Sequence, residues 1–210
     1  MALTCSCPAA TSLTAIPAVQ CAENFGQIQK VAFQRLVNGS TKNGFDTSNK
    51  ITALASWIAA MALATSGKIV VSPYIQAPTS EAGAARTFGG GNDTLGGVEE
   101  VIGAEPTTFS AVLRGVPQST IKVMKELMCE AKAGNLGVYL FDENGNIEGI
   151  KGTGADEWYP IPIRALFISD KTHGGLEAPD SNNISWSFAP NWSDDLSIAV
   201  PADFNPLTDL

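Results

Sequence analysis

STIKVMKELMCEAKAGNLGVYLFDENGNIEGIKG, residues 119–152, sets how the rest of the chain is read. Ile121, Met124, Leu127, Met128 and Ala131 recur at helical spacing, and Lys122, Lys125, Glu126, Glu130 and Lys132 fill the opposite face. Ser119 is the expected N-cap, and Gly134 the residue that stops the helix. After it, LGVYLFD and IEGIKG flank an Asn-Gly turn, the pattern of a β-hairpin. A helix that feeds directly into a hairpin belongs to an antiparallel sheet with helices laid on it. The regular strand–helix alternation of a doubly wound sheet is absent.

Upstream, FGQIQKVAFQRLV, residues 25–37, places Phe25, Val31, Phe33 and Val37 on one parity and Ile28, Ala32 and Leu36 on the other. This predicts a strand with apolar groups on both faces, ended by the Asn38-Gly39-Ser40 turn. ITALASWIAAMALA, residues 51–64, predicts a second helix with Leu54, Ile58, Met61 and Ala62 on its apolar face and Trp57 beside it. Asp46, Thr47 or Ser48 would cap it and Gly67 would end it. This run is about 14 residues, short of the ~20 that span a bilayer, so a core helix is expected and no membrane association. Further strands are expected over 68–75, 98–103, 107–115, 159–169, 183–188 and 196–200. Pro160 and Pro162 point to an edge or an irregular start in the 159–169 strand. The expected fold class is α+β: a mainly antiparallel β-sandwich or barrel of about eight strands, with two packed α-helices.

Two segments lack any period. Residues 1–22 read as an extended N-terminal arm, and 23–210 as a single β-rich domain. Within that domain 76–97 is expected to be a long Gly-rich loop without regular structure, and loops of that length inside a domain usually serve a function. Contact with another chain is the function expected here, through Arg86, Phe88, Gly89, Gly90, Gly91 and Asn92.

The chain has 210 residues, 13 Lys and Arg against 21 Asp and Glu, and a net charge of −8. Its charged fraction is 16%, against roughly 25% in an ordinary domain. Hydrophobic residues make up 44%, enough for a real core and too many for a disordered chain. A nucleic-acid binder would need clustered Lys and Arg, which are missing. A surface poor in charge is easily desolvated, and so suits burial against other protein chains. After Lys171 the chain has no Lys or Arg, while Glu177, Asp180, Asp194 and Asp195 are acidic, so an acidic surface is expected there.

No catalytic constellation emerges. His173 is the single histidine, and a relay needs an orienting carboxylate and a nucleophile beside it. FGGGNDTLGG has glycines at Walker spacing, yet Gly97-Val98 stands where Lys-Ser/Thr is required. DENGNIEG places Asp142, Asn144 and Asn146 like a calcium loop, but Ile147 occupies the glycine position, so a hairpin turn is the better reading. Cys5, Cys7, Cys21 and Cys129 have irregular spacings, which favours buried or free thiols over zinc. The first residues lack a basic stretch followed by an apolar one, so a secretory signal is not expected. No cofactor, no metal and no enzymatic activity are expected.

Three stretches carry a resemblance: FGQIQKVAFQRL (25–36), VVSPYIQAPTSEAGAARTFGGGNDTLGG (70–97) and FISDKTHGGLEAPDSNNISWSFAPNWSDDLSIAVPADFNPL (167–207). Together they resemble virion structural proteins of tailed phages of Bacteroidetes-type bacteria, most of all a major tail tube protein. The resemblance implies a homo-oligomer of hexameric rings stacked into a tube, with other virion proteins as partners. It also implies a negative lumen through which DNA passes without specific binding, and assembly in the host cytoplasm. The 76–97 loop and the 1–22 arm would then connect rings. A capsid, decoration, neck or collar role is the alternative, and a small enzyme a more distant one.

Overall fold

The computed structural model describes residues 15–19 and 24–210. Most of the expected 1–22 arm, with Cys5, Cys7 and Cys21, lies outside the described residues. Residues 15–19 are exposed and have no regular secondary structure. One compact unit comprises 25–82 and 106–210, and the segment 83–105 belongs to another.

The larger unit is α+β and antiparallel throughout. Strand β1 (Ile28–Arg35) is followed by a small ribbon, β2 (Val37–Asn38) with β3 (Thr41–Lys42), and by helix α1 (Leu54–Ala62). Next come β4 (Ile69–Val71) and β5 (Gln76–Glu81). Beyond the 83–105 segment, which holds β6 (Ala85–Gly89) and β7 (Glu99–Ala104), lie β8 (Thr107–Arg114) and helix α2 (Gln118–Lys132). The remaining strands are β9 (Leu136–Asp142), β10 (Ile147–Lys151), β11 (Trp158–Tyr159), β12 (Ile161–Ile168), β13 (Ser181–Phe188) and β14 (Leu196–Ala199).

The sheet closes on itself. Its order runs β9–β12–β13–β8–β5, and β1 pairs with β9 on one side and β4 on the other. The chain from β4 to β5 follows β1, where Ser72 N–H donates to Val31 C=O and Ile75 N–H to Gln29 C=O, and then joins β8. Phe33 of β1 meets Trp186 of β13 edge-on with ring centroids 6.1 Å apart. In a flat sheet three strand spacings, ~14 Å, would separate those two strands. The closed sheet encloses Val31, Phe33, Phe109, Leu113, Val138, Leu140, Ile161, Ile163, Ile184, Trp186 and Phe188, and α2 adds Ile121, Met124 and Ala131.

Strand β12 stays in this core by means of a bulge. Ile161 and Ile163 are buried, and so are Leu166 and Ile168, which have the opposite parity. Ala165 between them has φ +52°, and the pairing with β13 shifts between Arg164 and Phe167. One extra residue restores the inward face for the second half of the strand. Of the two expectations for Pro160 and Pro162, the irregular start holds: β12 is interior, between β9 and β13, and Pro160 separates it from β11.

The other faces of β1 and β9 form a second core. Ala32, Tyr139 and Phe141 pack there with Phe45, Ile51, Trp57, Ile147, Trp158, Phe204 and Leu207. Every residue of β9 is therefore buried, and both-sided burial appears in β1 as its pattern predicts. Helix α1 is turned relative to the expected face. Trp57 is its buried residue, donating its indole N–H to Ile51 C=O at 2.7 Å, whereas Ile58 is half exposed. The indole is the largest side chain on the helix, so its burial outweighs that of Ile58.

The expected caps of α1 do not form. The helix starts after Ala53 without a side-chain cap and ends before Leu63, not at Gly67. Asp46 instead accepts from Ser48 N–H and Asn49 N–H in a turn of its own. Helix α2 has Pro117 rather than Ser119 at its N-cap position, and no side chain caps it. Its C-terminus is as expected: Gly134 has φ +72°, its N–H donates to Ala131 C=O, and Asn135 N–H donates to Glu130 C=O. That pair of bonds is a Schellman motif, which needs a left-handed residue at Gly134.

Candidate functional site

The stretch 76–97 is not the structureless loop expected. Its first residues are β5, at the end of the sheet path, and the rest belong to a β-hairpin completed by residues 98–104. Strands β6 and β7 pair from Ala85↔Ala104 to Gly89↔Glu99, with a register shift between Arg86 and Thr87. Glu105 N–H donates to Ala84 C=O at 2.8 Å, so the hairpin begins and ends at one point of the chain. A single 3₁₀ turn, Leu95–Gly97, lies in the tip.

The tip is held by one hydroxyl. Thr94 Oγ1 accepts from Gly90 N–H at 3.1 Å and donates to Val98 C=O at 2.6 Å. Asp93 N–H donates to Gly90 C=O, and Gly97 N–H to Thr94 C=O. Gly89 has φ +95°, and a Cβ there would lie 2.1 Å from Thr94 Cγ2. Any side chain at this position would expel Thr94 and open the tip. Along the ribbon, Thr87 Oγ1 donates to Glu99 Oε1 at 2.6 Å, and Arg86 faces Glu105 at 3.8 Å. Both members of that ion pair are more than half exposed, so it contributes about 0–1 kcal/mol.

None of the residues 83–105 is buried. Phe88, Leu95, Val98, Val101 and Ile102 are all more than half exposed, and Leu95 is fully so. The hairpin therefore unites five of the expected contact residues, Phe88, Gly89, Gly90, Gly91 and Asn92, on one tip, with Arg86 further down the ribbon. Thr94, Val98, Val101 and Ile102 complete it. The isolated Thr between two glycine groups is a readable signal for Thr94. The three aliphatic residues match an ordinary strand in sequence, whose inward face would be covered, and so give no sign of their exposure.

The acidic residues occupy two loops. Asp180 meets Lys171 Nζ at 3.7 Å and His173 Nδ1 at 3.2 Å, and accepts from Gly174 N–H. Desolvation pushes its carboxyl up. The bonds from His173 and Gly174, with the charges of His173 and Lys171, outweigh this and hold it below the usual carboxylate range. Asp180 is thus a compensated charge. Glu177, Asp194 and Asp195 are exposed and, among the described residues, have no ion-pair partner.

His173 has its orienting carboxylate, but its side chain is 81% exposed, and among the described residues no hydroxyl or thiol bonds its ring. Asp142 is buried and serves the β9–β10 hairpin: it accepts from Asn144 N–H, Asn146 N–H, Asn146 Nδ2 and Gly26 N–H. Its oxygens are taken up by the turn. Cys129 is an exposed free thiol. Among the described residues no three His, Cys, Asp or Glu side chains converge as a metal site, and no helix is long and apolar enough to cross a membrane.

No family model matches the chain, and no curated protein does. Solved structures that are similar, all at low scores, include three particle components. A chain of the tail of an empty gene transfer agent particle, refined with C6 symmetry, has TM-score 0.35 and 12% identity, over 65% of this chain and 89% of that one. A chain of the native gene transfer agent virion has TM-score 0.33 and 12% identity, over 60% and 85%. A chain of the six-fold-symmetrised anti-feeding prophage baseplate has TM-score 0.32 and 9% identity, over 91% and 100%. Likenesses of this size assign neither fold nor function by themselves.

Proposed function

We propose that this chain is a self-assembling virion structural protein, a tail tube subunit whose copies form hexameric rings stacked around a DNA conduit. The observation that carries the reading is the 83–105 hairpin. A two-stranded ribbon is marginally stable in water without a packed face. This one buries none of its residues, yet its tip is organised by Thr94 and exposes five large apolar side chains. Such a device gains stability when it is covered by protein, and a second copy is the partner always present. The uncompensated Glu177, Asp194 and Asp195 supply the negative surface that lets a polyanion slide past without adhering. Assembly takes place in the host cytoplasm and the product is the virion.

The test is electron microscopy and sedimentation of the purified chain over a range of concentrations. Rings or tubes are expected from the intact chain. A variant with 86–103 replaced by Asn-Gly joins Ala85 to Ala104 through a two-residue turn. It is expected to keep the folded circular dichroism spectrum and to remain monomeric. An intact chain that stays monomeric at every concentration removes the proposal, as does an excised variant that still forms rings.

A further inference from the structure

Of the 13 Lys and Arg side chains, Arg35, Lys50, Arg86, Lys125 and Lys171 have acidic partners, and Lys30, Lys42 and Lys151 lie over aromatic rings. Among the described residues, Lys68, Arg114, Lys122, Lys132 and Arg164 have neither. Two of these five line one feature. An open cavity of about 510 Å³ between the C-terminal half of α2 and the middle of β12 is bordered by Lys132 and Arg164 and floored by Met128, Ala131 and Leu166. No carboxylate lines it. The bulge at Ala165 sets Arg164 and Leu166 side by side in the lining. The Schellman bonds take up the Glu130 and Ala131 carbonyls, which lessens the negative end that a helix C-terminus otherwise presents.

The hairpin has the opposite character. Residues 83–105 hold Arg86 against Asp93, Glu99, Glu100 and Glu105, a net charge of −3. Glu105 is engaged by Arg86 and Glu99 by Thr87. The carboxylates of Asp93 and Glu100 have no partner among the described residues. Glu100 stands opposite the exposed Phe88 in the ribbon, and Asp93 lies two residues before the exposed Leu95 in the tip.

We infer that the cavity between α2 and β12 of one copy receives the hairpin of a second copy, with Lys132 and Arg164 facing Asp93 and Glu100 around an apolar contact. The contact is heterologous: hairpin and cavity are different surfaces, so each copy offers one of each and the assembly propagates or closes into a ring. The inference rests on the proposed self-assembly and specifies its surface.

Two variants test it, Asp93→Lys with Glu100→Lys, and Lys132→Glu with Arg164→Glu. All four side chains are exposed, so both variants are expected to fold, which circular dichroism checks. Each alone sets like charges against one another, and its threshold concentration for assembly is expected to rise about tenfold or more. An equimolar mixture restores both contacts in alternation and is expected to assemble near the wild-type threshold. Folding of the hairpin onto its own chain would not respond to mixing, so a mixture that stays unassembled overturns the inference. Variants that assemble individually as wild type does overturn it as well, while leaving self-assembly intact. A wild-type chain that never assembles fails the proposed function itself.

Discussion

Asp142 shows how much one side chain organises. The hairpin between β9 and β10 is readable from its Asn-Gly turn, but in sequence the carboxylate at its start has the look of a ligand or a solvated charge. In the structure it is fully buried and gathers donors from Gly26, Asn144 and Asn146. Asp142→Ala leaves those donors without their acceptor and is expected to cost about 2–4 kcal/mol in urea unfolding. Asp142→Asn keeps the shape and one acceptor oxygen, and is expected to lose less. Equal losses for both variants would mean that the negative charge itself holds the turn. Asp180 differs from its sequence context in a similar way: the neighbourhood shows an acid, and the fold shows an acid matched by Lys171 and His173.

Elements with one covered face are legible at the level of secondary structure, because burial imposes a period. The strand expected over 107–115 matches β8, and the helix opened at Ser119 matches α2 to within a few residues. Of the hairpin β6–β7, the strand expected over 98–103 matches β7, whereas β6 and the pairing are illegible for the converse reason: neither face is buried, so no alternation is selected. The orientation of α1 is hidden because Trp57 alone outweighs the aliphatic residues around it. The bulge in β12 is hidden too, since alanine seldom takes a positive φ. It makes a sharp prediction. Deleting Ala165 removes the extra residue and leaves Ile161, Ile163, Leu166 and Ile168 on one parity, so strict alternation then keeps all four in the core. Such a variant is expected to keep cooperative thermal unfolding and to bind no hydrophobic dye; loss of cooperativity would mean that the bulge itself is needed for the fold. Ala165→Gly relieves the left-handed strain and is expected to fold normally, with stability changed by less than about 1 kcal/mol.

At the scale of the molecule, β1 and β9 join two cores that the sequence announces only as a strand with apolar groups on both faces. Leu140 points into the first core and Phe141 into the second. Because one strand serves both, neither core is expected to melt alone. Leu140→Ala should cost about 2–5 kcal/mol and Phe141→Ala about 3–5 kcal/mol. In both variants near-ultraviolet circular dichroism and tryptophan fluorescence are expected to report one coincident transition. Two separated transitions would show that the cores are independent. The cavity between α2 and β12 belongs to this scale too. Lys132 and Arg164 are 32 residues apart, and nothing in either neighbourhood announces the other.

The hydrogen bond between Glu105 N–H and Ala84 C=O has a consequence for how such a chain changes over time. A segment whose two ends already touch can be lengthened, shortened or exchanged with little change in the entropy of closing the rest of the chain. The barrel's register is set by β5 and β8, and both lie outside that junction. Relatives are therefore free to differ widely between 85 and 104 while keeping the same barrel, and the junction is a natural port for displaying a foreign peptide.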